Sequence, residues 1–164
     1  MPKVGSQTYV AQSAEVVGDV TIGNFCYIGP GSKIRGDYGT VEIGDRTSIQ
    51  ENCVVHTRVG GECKIGSNVT VGHGAIIHGA TVKDNVIIGM GAIVSDDVAI
   101  QDWCIIGPGC VVPDRKQIDE GSLVLGIPGK VKRVLTEQDR TRIEAIANIY
   151  ADLAPRYLNG LTKL

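Results

Sequence analysis

Large aromatic side chains are nearly absent from this sequence. Phe and Trp occur once each, and aromatic residues make up 4% of the 164 residues. Aromatic side chains are bulky and usually fill much of the space between the layers of a protein core. Their scarcity argues against a thick layered core, whereas the frequent Ile and Val residues and the 22 glycines indicate a narrow, tightly turning one.

An excess of basic charge and a long apolar run are also missing. The formal net charge is −2 at pH 7, which gives no reason to expect a nucleic-acid or membrane partner. No apolar run approaches the roughly 20 residues that span a bilayer, and the first residues, "MPKVGSQTYV", do not resemble a signal peptide. These features predict a cytoplasmic protein, and its length fits one folding unit.

Six-residue repeats explain the composition. The hexads "VKDNVI", "IGMGAI", "VSDDVA", "IQDWCI" and "IGPGCV" run unbroken from Val82, and similar hexads begin at Val16, Ile43 and Ile65. Position one is Ile or Val, position two is often Gly, and position five is usually small. Each hexad predicts a short strand and a turn, with three hexads forming one triangular coil that stacks on the next through parallel hydrogen bonds.

The repeats fade toward the C-terminus, which divides the chain into two parts. We expect a mainly β prism of stacked coils over residues 1–115, and a connecting segment with a C-terminal helix packed on the prism over residues 116–164. Thr136 and Asp139 have the spacing of a capping box, and Pro155 is expected to end or kink the helix. The helix is expected to pack through an apolar stripe formed by Ile143, Ile146, Tyr150, Leu153 and Tyr157.

The cysteines show no C-x-x-C pair and no disulfide spacing. Four of the five occupy position five of a hexad, which predicts small buried core residues in a reducing compartment; they are Cys26, Cys53, Cys104 and Cys110. Cys63 lies in a stretch where the repeat is interrupted, and we expect it to be exposed.

The three histidines fall in register with the repeat. His56 and His78 both occupy position two of a hexad, and their separation equals one coil after a four-residue insertion is subtracted. They should therefore lie on one prism face, one rung or about 4.8 Å apart. His73 occupies position three of a neighbouring hexad on another face. It can join the other two only if prisms pack around a threefold axis, so that one chain supplies two ligands and its neighbour the third.

The same hexad frame places further polar residues at the expected contact between neighbouring prisms. Arg35 lies on the His56/His78 face, Asp37 follows it, and Gln50 lies on the face of His73. The convergence of these side chains with three imidazoles predicts a metal site between subunits.

At this point the sequence resembles the γ-class carbonic anhydrase family of hexapeptide-repeat proteins. The matching stretches are "IRGD" (34–37), "SIQENCVVH" (48–56), "VGHGAIIHG" (71–79), "VIIGMGA" (86–92) and "LGIPGKVKR" (125–133). The resemblance implies a left-handed parallel β-helix that assembles as a homotrimer. The left hand comes from the resemblance alone, because crossover connections are generally right-handed.

The resemblance also implies a reaction and a ligand set. His56, His73 and His78 would bind Zn²⁺, with Fe²⁺ or Co²⁺ as alternatives, and His73 would be donated to the site of the neighbouring subunit. A metal-bound hydroxide would then hydrate CO₂ reversibly to bicarbonate.

Four further residues receive roles from the same resemblance. Arg35 and Asp37 would form an ion pair that bridges subunits near the site. Gln50 would hydrogen-bond the metal-bound hydroxide, and Tyr150, within "ANIY", would reach the metal pocket.

The chain departs from an archaeal form of the family at positions that affect proton transfer. Tyr38 follows Asp37 where that form has Glu, Ser48 replaces an Asn, and Glu62 is the only carboxylate in the shortened loop after His56. These departures predict slow export of the proton.

Three other functions remain open. Some loop-short relatives resemble thioesterases or accessory proteins of coenzyme A pathways, and this chain shares their short loop. Hexapeptide acyltransferases share the fold and use one histidine as a general base without a metal. A metal that only clamps a non-catalytic trimer is the third possibility.

Overall fold

Short strands and tight turns alternate along almost the whole chain. The computed structural model describes residues 1–160. Nineteen strands precede one helix, and most of the strands are two residues long. The strands are β1 (Lys3–Val4), β2 (Tyr9–Val10), β3 (Glu15–Ile22), β4 (Tyr27–Ile28), β5 (Lys33–Ile43), β6 (Ser48–Ile49), β7 (Val54–His56), β8 (Glu62–Ile65), β9 (Thr70–Val71), β10 (Ile76–His78), β11 (Thr81–Val82), β12 (Ile87–Ile88), β13 (Ile93–Val94), β14 (Ala99–Ile100), β15 (Ile105–Ile106), β16 (Val111–Val112), β17 (Gln117–Ile118), β18 (Ser122–Leu125) and β19 (Lys130–Val134), and the helix is α1 (Glu137–Leu158).

The strands pair as stacked coils. From β6 to β15 each strand pairs in parallel with the strand three places further along the chain, as β6–β9–β12–β15–β18, β7–β10–β13–β16 and β8–β11–β14–β17. This pattern confirms the predicted parallel β-helix with three strands per coil. The fold is mostly β, with one C-terminal helix.

From β3 to β18, every strand points at least one aliphatic side chain into the prism. Ile34, Ile49, Val55, Ile77 and Ile88 are fully buried and belong to one continuous core. Because each coil contains only three short strands, the interior is narrow and β-branched side chains fill it. This explains why the sequence contains so few aromatic residues.

Replacing Ile88 with Ala tests this packing. Its side chain is fully buried, so the cavity should lower the free energy of unfolding by about 2–5 kcal/mol. Chemical denaturation followed by circular dichroism measures the change. Ile127→Ala is the matched control, because Ile127 is 76% exposed and its truncation should change little. Equal losses in the two variants would contradict the predicted core.

The cysteines are all buried and free. The predicted burial is confirmed for the four at position five, but the expectation that Cys63 is exposed is wrong. Cys63 lies in β8 opposite Val41 of β5, because the strand resumes its alternation before the next hexad begins. Burial raises the pKa of the Cys63 thiol to about 11, so this thiol stays protonated at neutral pH.

Helix α1 runs along the outside of the stack, from the later coils back to the first. Near its start, Arg140 lies 5.0 Å from the centre of the Trp103 ring. Near its end, Tyr157 stacks on Tyr9 with 4.6 Å between ring centres. The predicted capping box of Thr136 is present. Among residues 1–160, no helix is long and apolar enough to cross a membrane.

Two expectations about α1 need correction. The helix does not end at Pro155 but continues to Leu158, so only the expected kink at Pro155 stays a prediction. The buried face is made mostly of small residues, because the helix axis lies close to the prism; it consists of Ile143, Ala147, Ala151 and Ala154. Only Ile143 of the predicted apolar stripe is fully buried, and its other four members are half-buried along the sides of the contact.

The far end of the stack is closed by a change of direction. Parallel pairing continues past residue 115 as far as β18, after which β19 pairs with β18 in the antiparallel sense. The division of the chain at residue 115 stays a prediction. An antiparallel partner covers a strand edge that another coil would otherwise occupy.

Candidate metal centre

His56 and His78 lie side by side on adjacent coils. They end β7 and β10 and are register partners in the parallel pair, as the hexad frame predicts. Nδ1 of His56 lies 3.3 Å from Nε2 of His78. Two nitrogens bound to one tetrahedral metal at 2.0–2.1 Å are roughly 3.4 Å apart, so this pair fits a shared ion.

A carboxylate holds the outer nitrogen of each ring. Asp37 Oδ1 lies 3.1 Å from Nε2 of His56, and Asp96 Oδ1 lies 2.9 Å from Nδ1 of His78. A carboxylate at one ring nitrogen keeps the proton there and leaves the other nitrogen with a lone pair. Both free lone pairs then belong to the two nitrogens that face each other, which is the arrangement of two metal ligands.

His73 lies elsewhere on the prism. It follows β9, which belongs to a different sheet from β7 and β10, and 48% of its side chain is exposed. Its Nδ1 contacts Oε2 of Glu51. Within the described part of one chain, no three His, Cys, Asp or Glu side chains are grouped to hold a metal ion. A site with three histidine ligands therefore requires a second chain.

Arg35 and Asp37 form an ion pair within the chain. The Arg35 Nη2 to Asp37 Oδ2 distance is 2.8 Å, and Nε of the same guanidinium donates to that oxygen at 3.1 Å. The Arg35 guanidinium, and then the contact with His56, hold the pKa of Asp37 below its usual value. Asp37 therefore stays ionised as the acceptor for His56. The predicted bridging of subunits by this pair stays a prediction.

Gln50 and Tyr150 share a groove with His73. The groove has a volume of about 580 Å³ and lies between β9, β12, β15 and helix α1, with Ile87 and Met90 among its apolar lining residues. Gln50 is 5% exposed. Burial, and then the charge of Glu51, raises the pKa of Tyr150, so its phenol stays neutral beside His73. The structure brings these residues together, and their roles stay predictions.

The three positions tied to proton transfer differ in their exposure and in their hydrogen-bond partners. Glu62, in the shortened loop, is paired with Lys64 at 2.7 Å. Tyr38 is largely exposed, whereas Ser48 is buried and its hydroxyl has no hydrogen-bond partner within residues 1–160. None of the hydrogen bonds to the three histidines comes from these residues.

Two carboxylates at the histidines were missed in the sequence. Glu51 stands two residues after Ile49, the register partner of Val71, which places it opposite His73. Asp96 contacts His78 but stands one residue beyond Ser95, which follows Val94, the register partner of Ile77. Asking which acidic residues stack on a histidine, or stand one residue beyond the stacking position, would have pointed to both from the same hexad frame.

Comparisons with known proteins agree with the architecture. A family model described as "Bacterial transferase hexapeptide (six repeats)" matches residues 79–114. A crystal structure of a hexapeptide transferase family protein from Anaplasma phagocytophilum superposes with a TM-score of 0.91 at 36% identity, covering 95% of this chain and 92% of that one.

Curated relatives show which hexapeptide-repeat family the chain belongs to. A probable carbonic anhydrase of Methanocaldococcus jannaschii is 41% identical over 151 residues, covering 92% of this chain and 95% of the relative. Gamma carbonic anhydrase 2, mitochondrial, of Arabidopsis thaliana is 39% identical over 159 residues, covering 93% of this chain. The chain spans 57% of that plant protein's length. By its repeats, its fold and these relatives, the chain belongs to the γ-class carbonic anhydrase family.

Proposed function

We propose that this protein catalyses the reversible hydration of CO₂ to bicarbonate, at a metal site shared between neighbouring chains of a homotrimer. The observation that carries the proposal is the pair of facing nitrogens of His56 and His78, each on a ring whose other nitrogen contacts a carboxylate. Zn²⁺ suits three imidazole ligands, with Fe²⁺ or Co²⁺ as alternatives.

The bound ion would act as a Lewis acid that lowers the pKa of water to about 7. The residues of the chain serve this chemistry in distinct ways. Asp37 and Asp96 fix the rings of His56 and His78. Gln50 supplies an amide that orients the nucleophile or the substrate. The apolar floor of the groove, with Ile87 in it, suits uncharged CO₂ better than charged bicarbonate, which favours release of the product.

Exposed apolar side chains support the trimer. Ile76 and Ile93, register partners on β10 and β13, are each 37% exposed beside the histidines, and Met90 at the groove is also exposed. Apolar surface next to an incomplete ligand set favours a partner chain at this place. The neighbouring subunit's copy of His73 would complete the site of His56 and His78.

Stopped-flow CO₂ hydration on anaerobically purified protein tests the proposal. Activity should rise with metal content to one ion per chain, and chelation should remove it. Because Glu62 is held by Lys64, protons should leave through external buffer, so turnover should increase with buffer concentration. Background hydration at full metal content would contradict the assigned reaction.

A second candidate follows from the size of the groove. Its volume of about 580 Å³ exceeds what CO₂ requires, and the structural relative from Anaplasma carries a transferase name. Thioester hydrolysis or acyl transfer is therefore the reaction to assay next if CO₂ hydration is absent. Metal binding without any turnover would favour a clamp that only holds the trimer together.

A further inference from the structure

Both oxygens of the Glu51 carboxylate are engaged. Oε1 accepts a hydrogen bond of 2.8 Å from the hydroxyl of Tyr27, and Oε2 contacts Nδ1 of His73. Glu51 therefore links the buried phenol of Tyr27 to His73, which follows a strand of the same sheet.

Tyr27 is well placed to hold this carboxylate. The residue is 3% exposed, and its ring lies 5.7 Å from Tyr9, 5.3 Å from Tyr150 and 5.7 Å from Tyr157 between centres. Burial, and then the hydrogen bond to Glu51, raises the pKa of Tyr27 well above its ordinary value. The phenol therefore remains a hydrogen-bond donor throughout the physiological range.

His73 needs such support more than the other two histidines. His56 and His78 lie against each other with 5.2 Å between ring centres, and 20% and 35% of their side chains are exposed. His73 has no histidine neighbour within residues 1–160 and is more exposed than either. An unsupported imidazole would populate several rotamers and both tautomers, each at a cost to metal affinity.

We propose that Glu51 is the positioning residue of His73 and that Tyr27 fixes Glu51 in turn. The carboxylate holds the proton on Nδ1 and sets the ring plane, so that Nε2 points its lone pair outward toward the neighbouring chain. The proposal rests on the metal site proposed above and assigns two residues of this chain to it. The rings of Tyr150 and Tyr157 on α1 pack around Tyr27. The packing of the helix on the prism is therefore coupled to the position of the third ligand, His73.

Metal affinity and imidazole NMR test the proposal together. The variants are Glu51→Ala, Glu51→Gln and Tyr27→Phe, with Tyr9→Phe and Glu62→Ala as controls, because Tyr9 lacks a bond to Glu51 and Glu62 pairs with Lys64. Zinc affinity is measured by competition with a chromophoric chelator. The tautomer of His73 is read from proton–nitrogen correlation spectra of the metal-free protein.

We expect Glu51→Ala to lower zinc affinity about 10–100-fold, as the loss of an outer-shell partner does, and to shift His73 from the Nδ1–H tautomer to a mixture. Glu51→Gln should recover part of the affinity, because its amide oxygen still accepts from Nδ1. Tyr27→Phe should lose less, and the controls should match the wild type. An unchanged tautomer with affinity within twofold of wild type in Glu51→Ala overturns the proposal.

Two further measurements separate the causes of failure. Tyr27→Phe/Glu51→Ala leaves no orphaned phenol, so it keeps the affinity test valid if Glu51→Ala alone unfolds. Zinc binding by His73→Ala with wild-type affinity would refute the metal site itself. Weakened binding by His73→Ala beside unchanged binding by Glu51→Ala would refute only the positioning role.

Discussion

Replacing His78 with Ala is expected to reduce metal affinity by more than about 100-fold, beyond the loss typical of an outer-shell partner, and CO₂ hydration to background. The variant removes one of the two facing nitrogens, which are 3.3 Å apart in the wild type. Asp37 then remains the side-chain hydrogen-bond partner of His56 within the described part of the chain. Equilibrium dialysis with a metal assay gives the affinity, and stopped-flow measurements give the rate.

Ser95→Ala is the matched control for His78→Ala. Ser95 follows Val94, the register partner of Ile77, so it lies one rung above His78 in the same column, and within residues 1–160 the hydrogen bonds of the His78 ring go to His56 and Asp96 instead. Its variant should bind metal like the wild type. If His78→Ala still bound one metal per chain and hydrated CO₂, the ligand set proposed for this protein would be wrong.

Mixing two inactive variants is expected to restore activity. His73→Ala removes only the ligand that a chain donates to its neighbour. His78→Ala removes only a ligand of the His56/His78 pair. In a cyclic trimer that contains both chains, one of the three interfaces joins an intact His56/His78 pair to an intact His73. Random assembly from equal amounts should therefore recover about one quarter of the wild-type sites.

Co-expression and purification of the mixed trimers, followed by metal and CO₂ hydration assays, measure this recovery. Co-expression of His56→Ala with His78→Ala is the matched control, because both changes damage the same half of the site and no interface can be intact. Recovery in the control, or its absence in the first mixture despite confirmed mixed trimers, would exclude a site shared in the proposed way.

The register of the site was predictable because the repeat is so regular. A hexad frame with an aliphatic residue at position one fixes which residues stack, and the pairing of His56 with His78 follows from counting. The same counting separates His73 from the pair, because His73 follows β9, a strand of the other sheet. Composition supported this frame, since a narrow prism has no room for large aromatics.

The interrupted stretches and the helix were harder to predict. Cys63 is buried because β8 resumes inward alternation inside the insertion, which a strict count of six does not register. Pro155 is accommodated within the last turn of α1, although proline is unfavourable in helix interiors. The helix packs through alanines because a close axis leaves little room, whereas hydropathy favours the larger side chains.

The carboxylates at the histidines show a different limit. Glu51 and Asp96 are ordinary acidic residues in a chain with 18 of them, and residue type alone does not distinguish them from the others. The orientation of each ring, which decides whether a nitrogen faces a metal or a carboxylate, depends on side-chain rotation that no repeat pattern encodes.

The length of helix α1 has a consequence for how such chains change their repeat number. Its 22 residues extend about 33 Å, close to the roughly 29 Å height of the parallel stack from β2 to β18 that it follows. Inserting one coil would raise the stack by about 4.8 Å, or roughly three residues of helix. Tyr157 would then no longer reach Tyr9 while Arg140 stayed on Trp103. Gain or loss of a coil therefore requires a matching change in the helix, so the two lengths must evolve together.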